Sequence, residues 1–159
     1  MSECMEELNK FSWWTRAAIY MIEAFRKENV LRMEKLKPHL LNLNLAGVAK
    51  EFKTLNLGLP RQVGKTTFIK VHASNEDLIV YHKGEDRENA GLLYPEVTTR
   101  TKIATIRDIE AFKNNKFKTV WLDECTRSDW ANIAYMYDLL ATDDPEQLFV
   151  FLHSGISYF

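Results

Sequence analysis

The sequence predicts an α/β fold: a three-layer domain with a mostly parallel sheet and an N-terminal helical segment packed on it. Three observations carry this. Short apolar runs, DLIVY at 77–81, TVWL at 119–122 and LFVFL at 148–152, have the length and composition of strands buried on both faces. Helix-patterned segments separate these runs, which is the alternation of βαβ units. A chain of 159 residues is long enough for one domain with its own core. Residues 1–50 are assigned to the helical segment and 51–159 to the α/β core, within a single domain overall.

In chain order, Ser12 is a candidate N-cap for a helix reaching Glu28. Trp14, Ala18, Met21 and Phe25 recur at helical spacing, and Trp13, Ala17, Tyr20 and Ala24 widen that apolar stripe. A second short helix is expected from Val30 to Lys37, stopped by Pro38. Residues 39–50 are ambiguous. Alternation from Phe52 to Leu57 reads as a strand, and a helix is expected to start near Lys65 and run through Ile69 and Val71. Asp77–His82 is a strand, 83–96 a polar loop, Lys102–Ile106 a short strand and Arg107–Asn114 a helix. Lys118–Leu122 is a strand ending in Asp123-Glu124. Asp129 caps a helix to Leu140 with Ile133, Met136, Tyr137 and Leu140 inward, and Asp143-Asp144-Pro145-Glu146 turns into a last strand, Gln147–Leu152.

Composition excludes several classes. Lys and Arg number 21 against 22 Asp and Glu, so no basic field draws the chain to nucleic acid. The two cysteines, Cys4 and Cys125, make neither a disulfide framework nor a C-x-x-C motif. His39, His72, His82 and His153 have no zinc-ligand spacing. No apolar run is long enough to span a bilayer, and the acidic N-terminus lacks a signal-peptide core, so a cytoplasmic protein is expected.

Functional residues of a parallel sheet belong at the carboxyl ends of its strands. LPRQVGKTT, at 59–67, stands in that position and reads as a phosphate-binding loop with Leu59 where its first glycine is expected. In such a P-loop, Gly64 permits close backbone approach, the Lys65 ammonium reaches the β- and γ-phosphates, and the Thr66 hydroxyl ligates Mg²⁺. A P-loop enzyme also needs a strand-end carboxylate for the metal's water shell. Asp123 has that form. Subclasses with an extra central strand add a neighbouring glutamate as general base, the place of Glu124. The two motifs together, the Walker A and Walker B elements, predict a three-layer P-loop NTPase-like domain that binds ATP and Mg²⁺.

Arg61-Gln62-Val63-Gly64-Lys65-Thr66-Thr67 resembles the variant phosphate loop of bacteriophage large terminase subunits, ATP-driven DNA-packaging motors in which the first loop glycine is often absent. The resemblance implies that Arg61 acts on the phosphates as a cation in cis, that Gln62 to Thr67 bind the nucleotide, that Thr66 and Asp123 serve the metal, and that Glu124 and Lys65 act in hydrolysis. His153-Ser154-Gly155 stands where that family places a coupling motif. Large terminases also carry a nuclease domain, whereas this chain ends at Phe159, so the expectation is a small stand-alone, phage-encoded nucleoside triphosphatase in the host cytoplasm. Its hydrolysis would be coupled to a DNA or protein partner, or to a homo-oligomer. The only glutamines are Gln62 and Gln147, so the family's adenine-contacting glutamine has no upstream match and base preference stays open.

A second reading is a non-catalytic P-loop-fold protein that docks on a host or phage protein through the tryptophan-rich helix. Arg100, Arg107 and Arg127 are candidates for a finger acting on a neighbouring subunit. A nucleoside kinase fits the Asp-Glu pair less well, and no N-K-x-D guanine motif is present.

Overall fold

The computed structural model describes residues 13–36, 44–58, 69, 72–82, 101–125 and 129–153. Its elements are α1 (Trp13–Leu36), α2 (Leu45–Phe52), β1 (Thr54–Gly58), β2 (Leu78–Tyr81), β3 (Lys102–Thr105), a 3-10 helix (Ile106–Phe112), β4 (Thr119–Asp123), α3 (Trp130–Leu140) and β5 (Leu148–His153). The five strands form one sheet in the order β1-β5-β4-β2-β3, and every pairing is parallel.

Alternation along the strands divides the core into two layers. Leu57, Ile79, Tyr81, Trp121, Leu148, Val150 and Leu152 face one side, where Ala18 and Ile22 of α1 and Ile69 and Ala73 cover them. Leu78, Val80, Val120, Leu122, Phe149 and Phe151 face the other, under Ala49 of α2, Ile106 and Ile109 of the 3-10 helix, and Met136, Tyr137 and Leu140 of α3. The three-layer α/β architecture follows from this split, since strands buried on both faces need helices on both.

Four elements differ from the sequence reading. One helix of 24 residues replaces the two expected across Asn29. No proline or glycine interrupts 13–36, and Asn29 is carried inward with the apolar stripe, fully buried. Among the described residues neither polar atom of its side chain finds a partner. The first strand begins at Thr54, not Phe52, because Phe52 completes α2 and the Lys53 N–H still closes on the Ala49 carbonyl at 2.9 Å. Helix α2 resolves the ambiguous segment. Asn44 starts it by accepting the Gly47 N–H on Oδ1 at 2.7 Å. The helix expected over 107–114 is a 3-10 helix bent at Asp108, whose carboxylate accepts the Thr105 hydroxyl at 2.7 Å. That local side-chain bond competes with regular α geometry.

The helix expected after the phosphate loop is visible at Ile69 and His72, with the Ala73 N–H donating to the Ile69 carbonyl at 2.8 Å. No helix among the described residues is long and apolar enough to cross a membrane.

Candidate functional site

Gly58, Tyr81, Thr105, Asp123 and His153 are the last residues of the five parallel strands, so all five lie on one edge of the sheet. This carboxyl edge is where open α/β sheets receive ligands. Asp123 is buried, in register with Tyr81 on β2 and Leu152 on β5. Glu124 follows it half-buried, and its backbone is left-handed, with φ of 56°. Such a backbone at a glutamate costs on the order of 1 kcal/mol or more and persists only where surrounding bonds impose it. Here the Glu124 N–H donates to the Leu152 carbonyl at 3.0 Å and holds the turn against β5.

Gly58 pairs with His153 across the β1–β5 ladder. A Cβ placed on Gly58 would stand 3.1 Å from His153 Cε1, so the glycine allows the imidazole to lie against the chain at the root of the 59–67 loop. The residue expected to head a coupling motif thus touches the end of the loop strand. Strand β5 lies between β1 and β4, and roughly 10 Å of sheet separates the loop strand from the acid strand.

Two residues of this edge escape a sequence reading. His82, the first residue beyond β2, places Nδ1 2.7 Å from Asp129 Oδ2. Asp129 occupies the N-cap position of α3, but its side chain makes no capping bond. Its carboxylate serves the histidine instead. The two residues are 47 positions apart, and neither spacing nor periodicity could have joined them. Of the site predicted from sequence, Asp123 and Glu124 stand together on this edge. Arg61, Gln62, Val63, Gly64, Lys65, Thr66 and Thr67 lie outside the described residues, as do Arg100, Arg127 and Ser154-Gly155. Arg107 is exposed on the 3-10 helix, Cys125 is a buried thiol, and Trp130 is exposed rather than core. Among the described residues no three His, Cys, Asp or Glu side chains form a metal cluster.

The amino edge is polar in a different way. Asp77 is buried and accepts the Ser74 and Thr119 N–H groups at 2.9 and 3.2 Å and the Trp121 indole N–H at 3.1 Å. Gln147 donates from Nε2 to the Phe117 and Leu140 carbonyls and accepts the Thr142 N–H. The Lys53 ammonium donates to the Thr142 and Asp144 carbonyls at 2.9 and 2.7 Å. Burial pulls its pKa below the usual lysine range, against the opposing pull of Asp144 and Asp143. Arg26 of α1 donates to the Glu146 carbonyl and the Thr119 hydroxyl.

A cavity of about 700 Å³ lies on this side, lined among the described residues by Ile22, Arg26, His72, Asp77, Trp121 and Glu146 among others, and by neither Asp123 nor Glu124. Its size does not make it the reaction centre, since the strand-end acids and the loop root lie at the opposite edge. Burial lowers the His72 pKa, opposed by Glu23. Burial likewise raises the Tyr137 phenol to about 12, although its 2.6 Å bond with Thr54 works the other way.

No protein-family model matches the chain, and no curated protein matches it.

Proposed function

We propose that the chain is a P-loop nucleoside triphosphatase that binds Mg-ATP at the carboxyl edge of its sheet and hydrolyses it. The observation that carries this reading is the strand order. A parallel strand, β5, lies between the strand that enters the GKT loop and the strand that ends in Asp123-Glu124. That order fits the extra-central-strand subclass which the Asp-Glu pair suggested, and it brings Gly58 at the root of the loop, the acid pair and His153 to the same edge.

In this reading Gly64 and the neighbouring backbone cradle the phosphates, and Lys65 and Arg61 stabilise charge on them as the terminal phosphoryl group is transferred. Gln62, Val63 and Thr67 complete the binding loop. Glu124 takes the proton of the attacking water. Thr66 and Asp123 would hold Mg²⁺, which when bound neutralises charge on the phosphate oxygens. A single buried strand-end carboxylate suits that ion, because Mg²⁺ is bound through one or two carboxylates together with substrate phosphates rather than by a protein cage. The likeness to the ATPase core of phage terminases, with coupling to a DNA or protein partner, extends the same proposal. His153 against Gly58 supports it as a contact through which β5 could follow the state of the loop.

Phosphate release from Mg-ATP and Mg-GTP tests the reading. Glu124→Gln is expected to bind nucleotide and lose about 100-fold or more in turnover, whereas Lys65→Ala is expected to lose tight binding. Wild-type turnover in Glu124→Gln, or unchanged affinity in Lys65→Ala, contradicts it.

The exposed face of α1 favours a second reading. Tyr20 and Leu31 are 76% and 65% exposed, three helical turns apart on one face, with Met21 beside them. A non-catalytic protein that docks a partner through this helix would bind that partner without turnover and lose it in Tyr20→Ala/Leu31→Ala.

A further inference from the structure

His82 and Asp129 form a polar pair that the mechanism above leaves unused. A carboxylate can only accept, so the 2.7 Å bond makes His82 Nδ1 the donor. In the neutral ring the proton is then fixed on Nδ1, and Nε2 is left as an acceptor. The side chain of Asp129 is 5% exposed and that of His82 is 25% exposed, so the carboxylate is enclosed while the imidazole reaches the carboxyl edge. An aspartate capping bond contributes about 1 kcal/mol to a helix. Helix α3 begins without one from Asp129, whose carboxylate is committed to the histidine.

The sheet register puts the backbone of His82 beside that of Glu124. Tyr81 pairs with Asp123 across β2 and β4, so His82 and Glu124 are the next residues on neighbouring chains, about 5 Å apart at the level of the strand axes. Leu78 and Val80 face α3 while Ile79 and Tyr81 face α1, so the following position falls on the α3 side, where Asp129 meets it. Glu124 leaves the pleat at its left-handed φ, with its N–H held by Leu152.

A water attacking phosphorus carries two O–H bonds and must aim a lone pair at its target. A single base fixes one O–H and leaves the molecule free to rotate about that bond. A second acceptor fixes the other O–H and directs the lone pair. We propose that His82 Nε2, its tautomer set by Asp129, is this second acceptor and orients the attacking water beside Glu124. The inference rests on the Mg-ATP hydrolase reading. In the step, the water oxygen bonds to the terminal phosphorus, one water proton passes to the Glu124 carboxylate, and the bond from that phosphorus to the bridging oxygen breaks with its electron pair leaving on ADP. His82 keeps its hydrogen bond and takes no proton.

Steady-state phosphate release and calorimetric Mg-ATP affinity, measured together on wild type, His82→Ala, His82→Gln and Asp129→Asn, test this. Asp129→Asn keeps the shape of the pair but can offer an N–H to Nδ1, which turns Nε2 into a donor. His82→Ala and Asp129→Asn are each expected to lower kcat about 10- to 100-fold with Kd changed less than twofold. His82→Gln, whose amide oxygen can accept, is expected to recover part of the rate. Wild-type kcat in His82→Ala overturns the inference and leaves the hydrolase reading standing. A fall in kcat matched by an equal loss of affinity overturns it as well, because that marks a binding or folding role. A wild type that neither binds nor hydrolyses nucleotide removes the hydrolase reading and the inference with it. Asp129→Asn guards against a histidine variant that fails to fold.

Discussion

The two edges of the sheet are both polar, yet their polar groups are arranged to opposite ends. At the amino edge, Asp77, Gln147, Lys53 and Arg26 spend their hydrogen-bonding groups on backbone atoms and neighbouring side chains, tying the turns that enter β2, β4 and β5 to one another and to α1. At the carboxyl edge, a glutamate holds a strained backbone, the Asp129 carboxylate bonds a histidine and makes no capping bond to its helix, and a glycine makes room for an imidazole. Saturated polar groups hold a fold together. Strain and forgone local bonds at strand ends are features a fold does not need for itself. Cavity volume is a poor guide here, since the space of about 700 Å³ borders the edge whose polar groups are saturated.

Substitutions at the amino edge should therefore cost stability. The largest effect is expected from Asp77→Ala, which strands two backbone N–H groups and an indole N–H in a buried site and should lower the unfolding free energy by about 3–5 kcal/mol in denaturant titrations. A loss below about 1 kcal/mol would break the comparison. Lys53→Met removes both ammonium bonds to the Thr142 and Asp144 carbonyls and should cost about 2 kcal/mol by the same measurement.

At the carboxyl edge the direction reverses. Glu124→Gly relieves the left-handed backbone and should leave stability unchanged or raise it by up to about 1 kcal/mol, while abolishing phosphate release. A clear loss of stability in that variant would mean Glu124 serves the fold.

The smallest effect is a pH dependence at the amino side. Burial lowers the folded-state pKa of His72 below its ordinary value of 6.5, with Glu23 opposing. Above that value the ring is neutral in both states and no penalty applies. As pH falls below it, the unfolded chain takes up the proton more readily than the folded one, so stability declines until the folded-state pKa is passed. His72→Gln should flatten this decline in unfolding curves taken at a series of pH values.

Periodicity and apolar runs were enough to read the three-layer architecture, because strands such as Leu78–Tyr81 and Leu148–His153 are buried along their whole length and carry no polar residue until their ends. The acid pair was legible for the same reason: it terminates one of those runs. Local pattern failed where tertiary packing decided. Asn29 reads as a break between helices but is carried inside one, and Lys53 reads as part of a strand but sends its ammonium to a turn about 90 residues away. The His82–Asp129 pair depends on how β2 and α3 are placed by the sheet, and Glu124's backbone on a bond to β5, which no short-range signal encodes.

The most direct measurement is hydrogen–deuterium exchange on the wild-type chain with and without Mg-ATP. Exchange is expected to slow in peptides covering the 59–67 loop, Glu124–Cys125 and His153, and to stay unchanged in peptides at Ser74–Asp77 and Thr142–Gln147. Protection confined to the amino edge and the cavity beside α1, or none at saturating nucleotide, would contradict it.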